Sequence, residues 1–190
     1  VNYESKQVSE FSLARTIPAY SYEVTPNACA PIAAGNIVAY FDRYCAQLIP
    51  NYTPGRGLGL RYDYKTEQGT EINALIAQLC VDMGTNVEGN GNTEEECLSG
   101  LSLYCTRAGY EVSYESCMNG GALDYSKAKQ SLQTDKKPLL LFVTKVALSD
   151  IREEGDSDIY TTLYGPTNHV MSAFGYYEVT YSLSGGGSET

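Results

Sequence analysis

The sequence predicts an α+β domain in which a helical layer packs on one side of an antiparallel sheet. Three observations point there. The first half of the chain holds three stretches whose apolar residues recur at three- and four-residue steps, the period of an amphipathic helix. After Gly109 the apolar period falls to two, the period of a strand. The chain is 190 residues long, which is the size of one domain and enough to bury a core without metal or disulfide support.

The elements follow in order. Residues 1–24 read as extended, with Pro18 and the alternating Tyr20, Tyr22 and Val24; residues 1–16 are expected as an extension of a single domain 1–190. Thr25-Pro-Asn-Ala28 is a turn and a helix entry. A first helix is expected from Cys29 to Leu48, with Ala33, Ile37, Phe41, Tyr44, Cys45 and Leu48 on one face. Pro31 is tolerated in its first turn, where no amide bond is lost, and Pro50 and Pro54 end it. Residues 49–65 read as a long loop.

A second helix is expected from Thr66 to Met83, buried through Ile72, Leu75, Ile76, Leu79 and Cys80, with Gly84 as its stop. Thr93 caps a third helix, and Glu96 three residues later completes a capping box. Its core face is Cys97, Leu101, Tyr104, Cys105 and Ala108, and Gly109 ends it. Glu111 to Cys117 alternates as a strand, and Tyr125 to Leu132 reads as a short helix. Pro138 to Val146 is expected as a buried strand, 149–165 as a polar loop, His169 to Tyr181 as a strand, and 184–190 as a flexible tail.

Charge and composition exclude several classes. A net charge of -10 repels phosphate backbones, so nucleic acid is not an expected partner. No apolar run approaches the roughly 20 residues that span a bilayer, so membrane insertion is not expected. Seventeen Tyr, no Trp and many small polar residues suggest a secreted or cell-surface protein. The six cysteines contain no closely spaced pair, and there is one His, so neither a zinc site nor any other cofactor is expected. Cys97 and Cys105 lie about 12 Å apart on one helix and cannot bridge each other, because disulfide Cα atoms lie within about 7 Å. Nothing in the sequence fixes the oligomeric state.

Two residue types offer chemistry. Cys29 stands at the start of a helix, where unpaired first-turn amides and the macrodipole favour negative charge. A cysteine there has a lowered pKa and reacts as a thiolate, and the same amides can hold a developing oxyanion. A nucleophilic cysteine also needs a base that can become an imidazolium, and the chain offers His169, at the head of the last long strand. Gly55 to Leu60 is glycine-rich, but it follows no strand and opens no helix, so it is not read as a phosphate loop. Asn51-Tyr-Thr53 fits a glycosylation acceptor only in a eukaryotic secretory route. Asp156 and Asp158 lack calcium-loop spacing.

The run Val24-Thr-Pro-Asn-Ala-Cys-Ala-Pro-Ile-Ala-Ala-Gly-Asn-Ile-Val-Ala-Tyr-Phe-Asp42 resembles the active-site helix of papain-like cysteine peptidases, in particular bacterial domains akin to bacteriocin-leader peptidases. Ile17-Pro-Ala-Tyr-Ser-Tyr22 resembles the Pro-x-Tyr lead-in of that group, and Asn168-His-Val with Phe174-Gly-Tyr176 resembles its His strand. The resemblance covers residues 17–181. Papain-type enzymes place about 130–150 residues between Cys and His; here Cys29 and His169 are 140 apart.

The resemblance implies a papain-like fold and hydrolysis of peptide bonds, with a peptide or protein as substrate. Cys29 would be the nucleophile, His169 the base, and Asn27 or backbone amides alone the oxyanion donors. This chain departs from the pattern twice. Glu23 stands where the family has an oxyanion-hole Gln, and where the strand with the His-orienting residue should follow stands Gly185-Gly-Gly-Ser-Glu-Thr190, so that strand is expected after residue 190, or the residue is absent or comes from another segment. Both departures keep open a catalytically inactive binding or adhesion module on the same fold. A leader-peptide processor attached to an export system is a third reading.

Overall fold

A computed structural model describes residues 1–13, 20, 22, 24–45, 47–52, 69–145, 147–164 and 168–190, and everything structural below concerns those residues. Four helices and antiparallel strands make it a mixed α+β structure. The order is β1 (Tyr3–Ser12), α1 (Cys29–Phe41), α2 (Gly69–Asp82), α3 (Glu94–Arg107), β2 (Met118–Asn119), β3 (Ala122–Leu123), α4 (Tyr125–Gln133), β4 (Leu139–Thr144), β5 (Ala147–Glu153), β6 (Asp158–Tyr164), β7 (Asn168–Ala173), β8 (Gly175–Leu183) and β9 (Ser188–Glu189). No helix among them is long and apolar enough to cross a membrane.

The core lies where α1, α2 and α3 meet the β4–β7 pair. Alanines dominate its α1 side, with Ala30, Ala33, Ala34 and Ala39 almost fully covered. Small side chains let α2 approach closely: a Cβ on Gly35 would sit 3.1 Å from Ile76 Cγ1. Contact is tighter between α2 and α3, where a Cβ on Gly100 would fall 2.7 Å from the Met83 backbone nitrogen. Ile72, Leu75, Ile76 and Leu79 fill the centre from α2, as their spacing predicts.

Several boundaries differ from the sequence reading. The first helix ends at Phe41, not Leu48. Buried Asp42 stops it, because its carboxylate accepts the Ile49 amide at 2.7 Å and folds 42–49 into a turn. Residues 110–117 join no ladder; Tyr114 instead reaches α3, donating to the Leu98 carbonyl at 2.9 Å. Residues within 149–165, expected as loop, form the β5–β6 hairpin, whose turn is closed by Glu154 N–H donating to the Ser157 carbonyl at 2.8 Å. The tail expected to be flexible turns on Gly185, Gly186 and Gly187, all at positive φ, and returns as β9 beside β8. The segment expected as an extension supplies β1, which pairs along β8.

The single strand expected from His169 is two. β7 pairs with β4, and after Phe174 the chain bends so that β8 pairs with β1. Gly175 permits the change of partner: a Cβ there would fall 2.4 Å from the Phe11 carbonyl oxygen. Asp158 anchors the neighbouring strands from a buried position, accepting the Tyr181 hydroxyl at 2.5 Å and the Lys6 ammonium at 3.3 Å.

Candidate functional site

Cys29 is the first residue of α1. Its neighbours Ala28 and Ala30 are buried, and the thiol itself is half-buried against the core. The helix starts without a side-chain cap, and no acidic residue stands in its first turn. Its leading amides are therefore not claimed by a capping side chain, and the positive end of the helix is left uncompensated.

The entry to this helix is fixed from two sides. Asn36, buried in α1, accepts the Tyr20 amide at 2.8 Å, and the Tyr20 and Tyr52 hydroxyls meet at 2.7 Å. On the other side the α2–α3 loop holds residues 26 and 27. Asn86 donates from Nδ2 to the Pro26 carbonyl at 2.8 Å, and its Oδ1 accepts Asn27 Nδ2 at 3.2 Å and Gly91 N at 3.0 Å. Asn27 takes the left-handed conformation, at φ 57°. Its side chain thus acts in a loop clamp, the work of a turn residue, with its amide donating to Asn86 Oδ1.

His169 is the second residue of β7, half-buried and paired with Val143 of β4. The two elements come together: α1 packs along β7, and Tyr40 meets Phe174 with ring centroids 6.5 Å apart. From that contact, Cys29 lies 11 residues back along the helix, about 16–17 Å at 1.5 Å per residue. His169 lies five residues back along the strand, again about 16–17 Å at 3.3 Å per residue. The two lengths, each measured along its own element from the Tyr40–Phe174 contact, are equal.

The two side chains are not joined. Side chains alternate along a strand, and Val170 is the one buried in the core with α1, alongside Leu140 and Phe142 of β4. His169 therefore leaves β7 on the opposite face, and no hydrogen bond links it to the Cys29 thiol among the described residues. β9, which follows the last long strand, pairs with Tyr181 and Ser182 at the far end of β8. Glu23 and the glycine-rich loop at 55–60 lie outside the described residues.

No family model, no curated protein and no solved structure matches this chain.

A residue that sequence reasoning placed only in the core belongs to the same core cluster against which the candidate nucleophile packs. Cys97, in the first turns of α3, has no exposed surface. Burial pushes its thiol up to about 12, with smaller contributions from Cys29 and Glu94. The helical spacing signalled its burial, but nothing in the sequence pairs it with Cys29. An open groove of about 370 Å³, lined by Gln47, Leu48, Pro50, Gln78, Tyr104 and Arg107, lies by contrast at the other end of α3. That is about 15 Å from Cys97 along the helix, away from the candidate chemistry.

Proposed function

We propose that this chain is a cysteine-dependent peptidase in which Cys29 attacks a peptide carbonyl and His169 acts as the base. One observation carries the reading: a half-buried cysteine opens an uncapped helix, and that helix packs along the strand bearing the chain's one histidine.

In the reaction the Cys29 sulfur forms a bond to the carbonyl carbon as its proton passes to the His169 ring. The tetrahedral oxyanion is held by first-turn amides of α1, those of Cys29 and Ala30; Pro31 supplies none. The carbon–nitrogen bond breaks, and the imidazolium returns its proton to the departing amine. Water then adds to the thioester with His169 again taking the proton, and the released thiol restores the enzyme. For this cycle the backbone at the head of β7 must shift its pleat so that His169 faces α1, because rotation about the side-chain bonds alone leaves its Cβ on the outer face. Asn168 beside it is exposed, which leaves that end of the strand open.

A second reading is a catalytically silent peptide-binding or adhesion module. It is favoured by the direction in which β7 presents His169 and by the engagement of the Asn27 amide with Asn86. Alkylation of the folded protein with iodoacetamide at neutral pH, with each cysteine quantified by mass spectrometry, separates the two. A peptidase gives fast, selective modification of Cys29 that is lost in His169→Ala. Modification of Cys29 no faster than of Cys45 or Cys117, which are equally half-buried, leaves the binding module.

A further inference from the structure

We propose that Cys29 and Cys97 form an oxidisable pair, with Cys97 the buried thiol that resolves a mixed disulfide formed on Cys29. Placement comes first. The α1 and α3 helices pack against each other. Both helices start at the same end of the molecule. The clamp just described ties residues 26 and 27 to Asn86, and the Gly91 Cα faces the Asn27 carbonyl, so that a Cβ there would lie 3.5 Å from that oxygen. Cys29 follows the clamp by two residues on one chain segment. Cys97 follows Gly91 by six on the other, four past the Thr93 cap. Cys97 belongs to the buried core cluster, and Cys29 packs against that cluster.

Their environments divide the labour. Cys29 is half-buried and opens a helix with uncapped amides, so it can meet a small disulfide from solvent. Cys97 has no exposed surface and a raised pKa, so it is inert toward solvent oxidants and reached only through its neighbour. The oxidant is a low-molecular-weight disulfide. Cys29 thiolate displaces one thiol from it and keeps the other half as a mixed disulfide. The Cys97 sulfur then attacks the Cys29 sulfur while its proton passes to the departing thiolate, which leaves as the second thiol and closes Cys29–Cys97. Two protein thiols are oxidised and one external disulfide is reduced. The pair would silence the Cys29 nucleophile reversibly and protect it from over-oxidation. The exchange needs no peptidase activity and stands apart from that reading.

Incubating the folded protein with oxidised glutathione at pH 8, trapping free thiols with an alkylating agent and mapping the digest tests the pair. The expected wild-type product is a Cys29–Cys97 linked peptide, with two thiols lost per chain and no glutathione retained. In Cys97→Ala, one glutathione should stay on Cys29. Glutathione retained on Cys29 in the wild type, linkage of Cys29 to another cysteine, or an unmodified Cys29 would overturn the proposal. The wild-type map decides even if Cys97→Ala does not fold. Iodoacetamide selectivity that is indifferent to His169→Ala, beside a formed Cys29–Cys97 bond, would fail the peptidase reading and leave the pair intact.

Discussion

The starts of α1 and α3 lie side by side and are built in opposite ways. α3 opens on a complete capping box, with Thr93 Oγ1 accepting the Glu96 amide at 3.2 Å and Glu96 accepting the Thr93 amide at 2.6 Å. Three glutamates fill its first turn, compensating the helix dipole. α1 opens on Ala28, with no cap and no acid. Each start holds a cysteine, yet one thiol is half-open beside unclaimed amides and the other is sealed behind a finished cap. A helix end can be completed for stability or left available to an anion, and this fold uses both options within one cluster.

Reactivity should break or sharpen that contrast most strongly. Cys29 should react with iodoacetamide at least tenfold faster than Cys97, and His169→Ala should slow it by about 100-fold, the lower end of what a positioned base contributes. Equal rates at the two cysteines would end the comparison. Packing gives the next effect. Gly100→Ala drives a Cβ into the Met83 backbone, which cannot move aside as a side-chain tip can, and should cost about 1–3 kcal/mol in urea unfolding. Gly35→Ala meets only a side-chain carbon of Ile76 at 3.1 Å and gains helix propensity, so its midpoint should move far less. A larger loss at Gly35 than at Gly100 would overturn this account of how α1 and α3 seat on α2.

Removing the finished cap should have a smaller effect. Thr93→Ala should destabilise the protein by about 1 kcal/mol while leaving the Cys29 alkylation rate unchanged, because the cap serves α3 alone. The last effect is one of slope and compares the residue that closes α1 with the sheet. Asp42 is buried and accepts the neutral Ile49 amide, and burial holds its carboxyl above the ordinary range. Asp158 accepts the Tyr181 hydroxyl and the Lys6 ammonium, which hold its carboxyl below that range. By linkage, the Asp158 contribution is present above the unfolded carboxyl pKa of about 3.9 and lost as pH falls through its lowered folded value. The Asp42 contribution is present below about 3.9 and lost as pH rises through its raised folded value. Asp158→Asn should therefore flatten the acid side of the stability curve, and Asp42→Asn should steepen it. Urea midpoints taken across the acid range would show a common slope for both variants if the partners did not matter.

The elements most legible in sequence were those whose signals are local. The Thr93–Glu96 box, the α2 stripe from Ile72 to Leu79 and the helix start at Cys29 each follow from residues within one or two turns. The β5–β6 hairpin was missed because its composition is polar and its stability rests on cross-strand pairing; the run Ile159-Tyr-Thr-Thr-Leu163 carried the overlooked β-propensity. Residues 111–117 alternate correctly for a strand but pair with none, and alternation without a ladder leaves the backbone to side-chain anchors such as Tyr114.

The candidate site divides in the same way. Sequence alone determined that a cysteine begins a helix and a histidine begins a strand, because caps, periodicity and composition act over a few residues. It also determined that both lie in segments with an apolar face to bury. Only the tertiary structure decided that α1 lies along β7, that β7 turns Val170 rather than His169 toward the helix, and that the α2–α3 loop clamps the entry to α1. Those facts depend on which faces meet across long sequence separations, and the pleat of a strand reverses a side chain's direction with each residue.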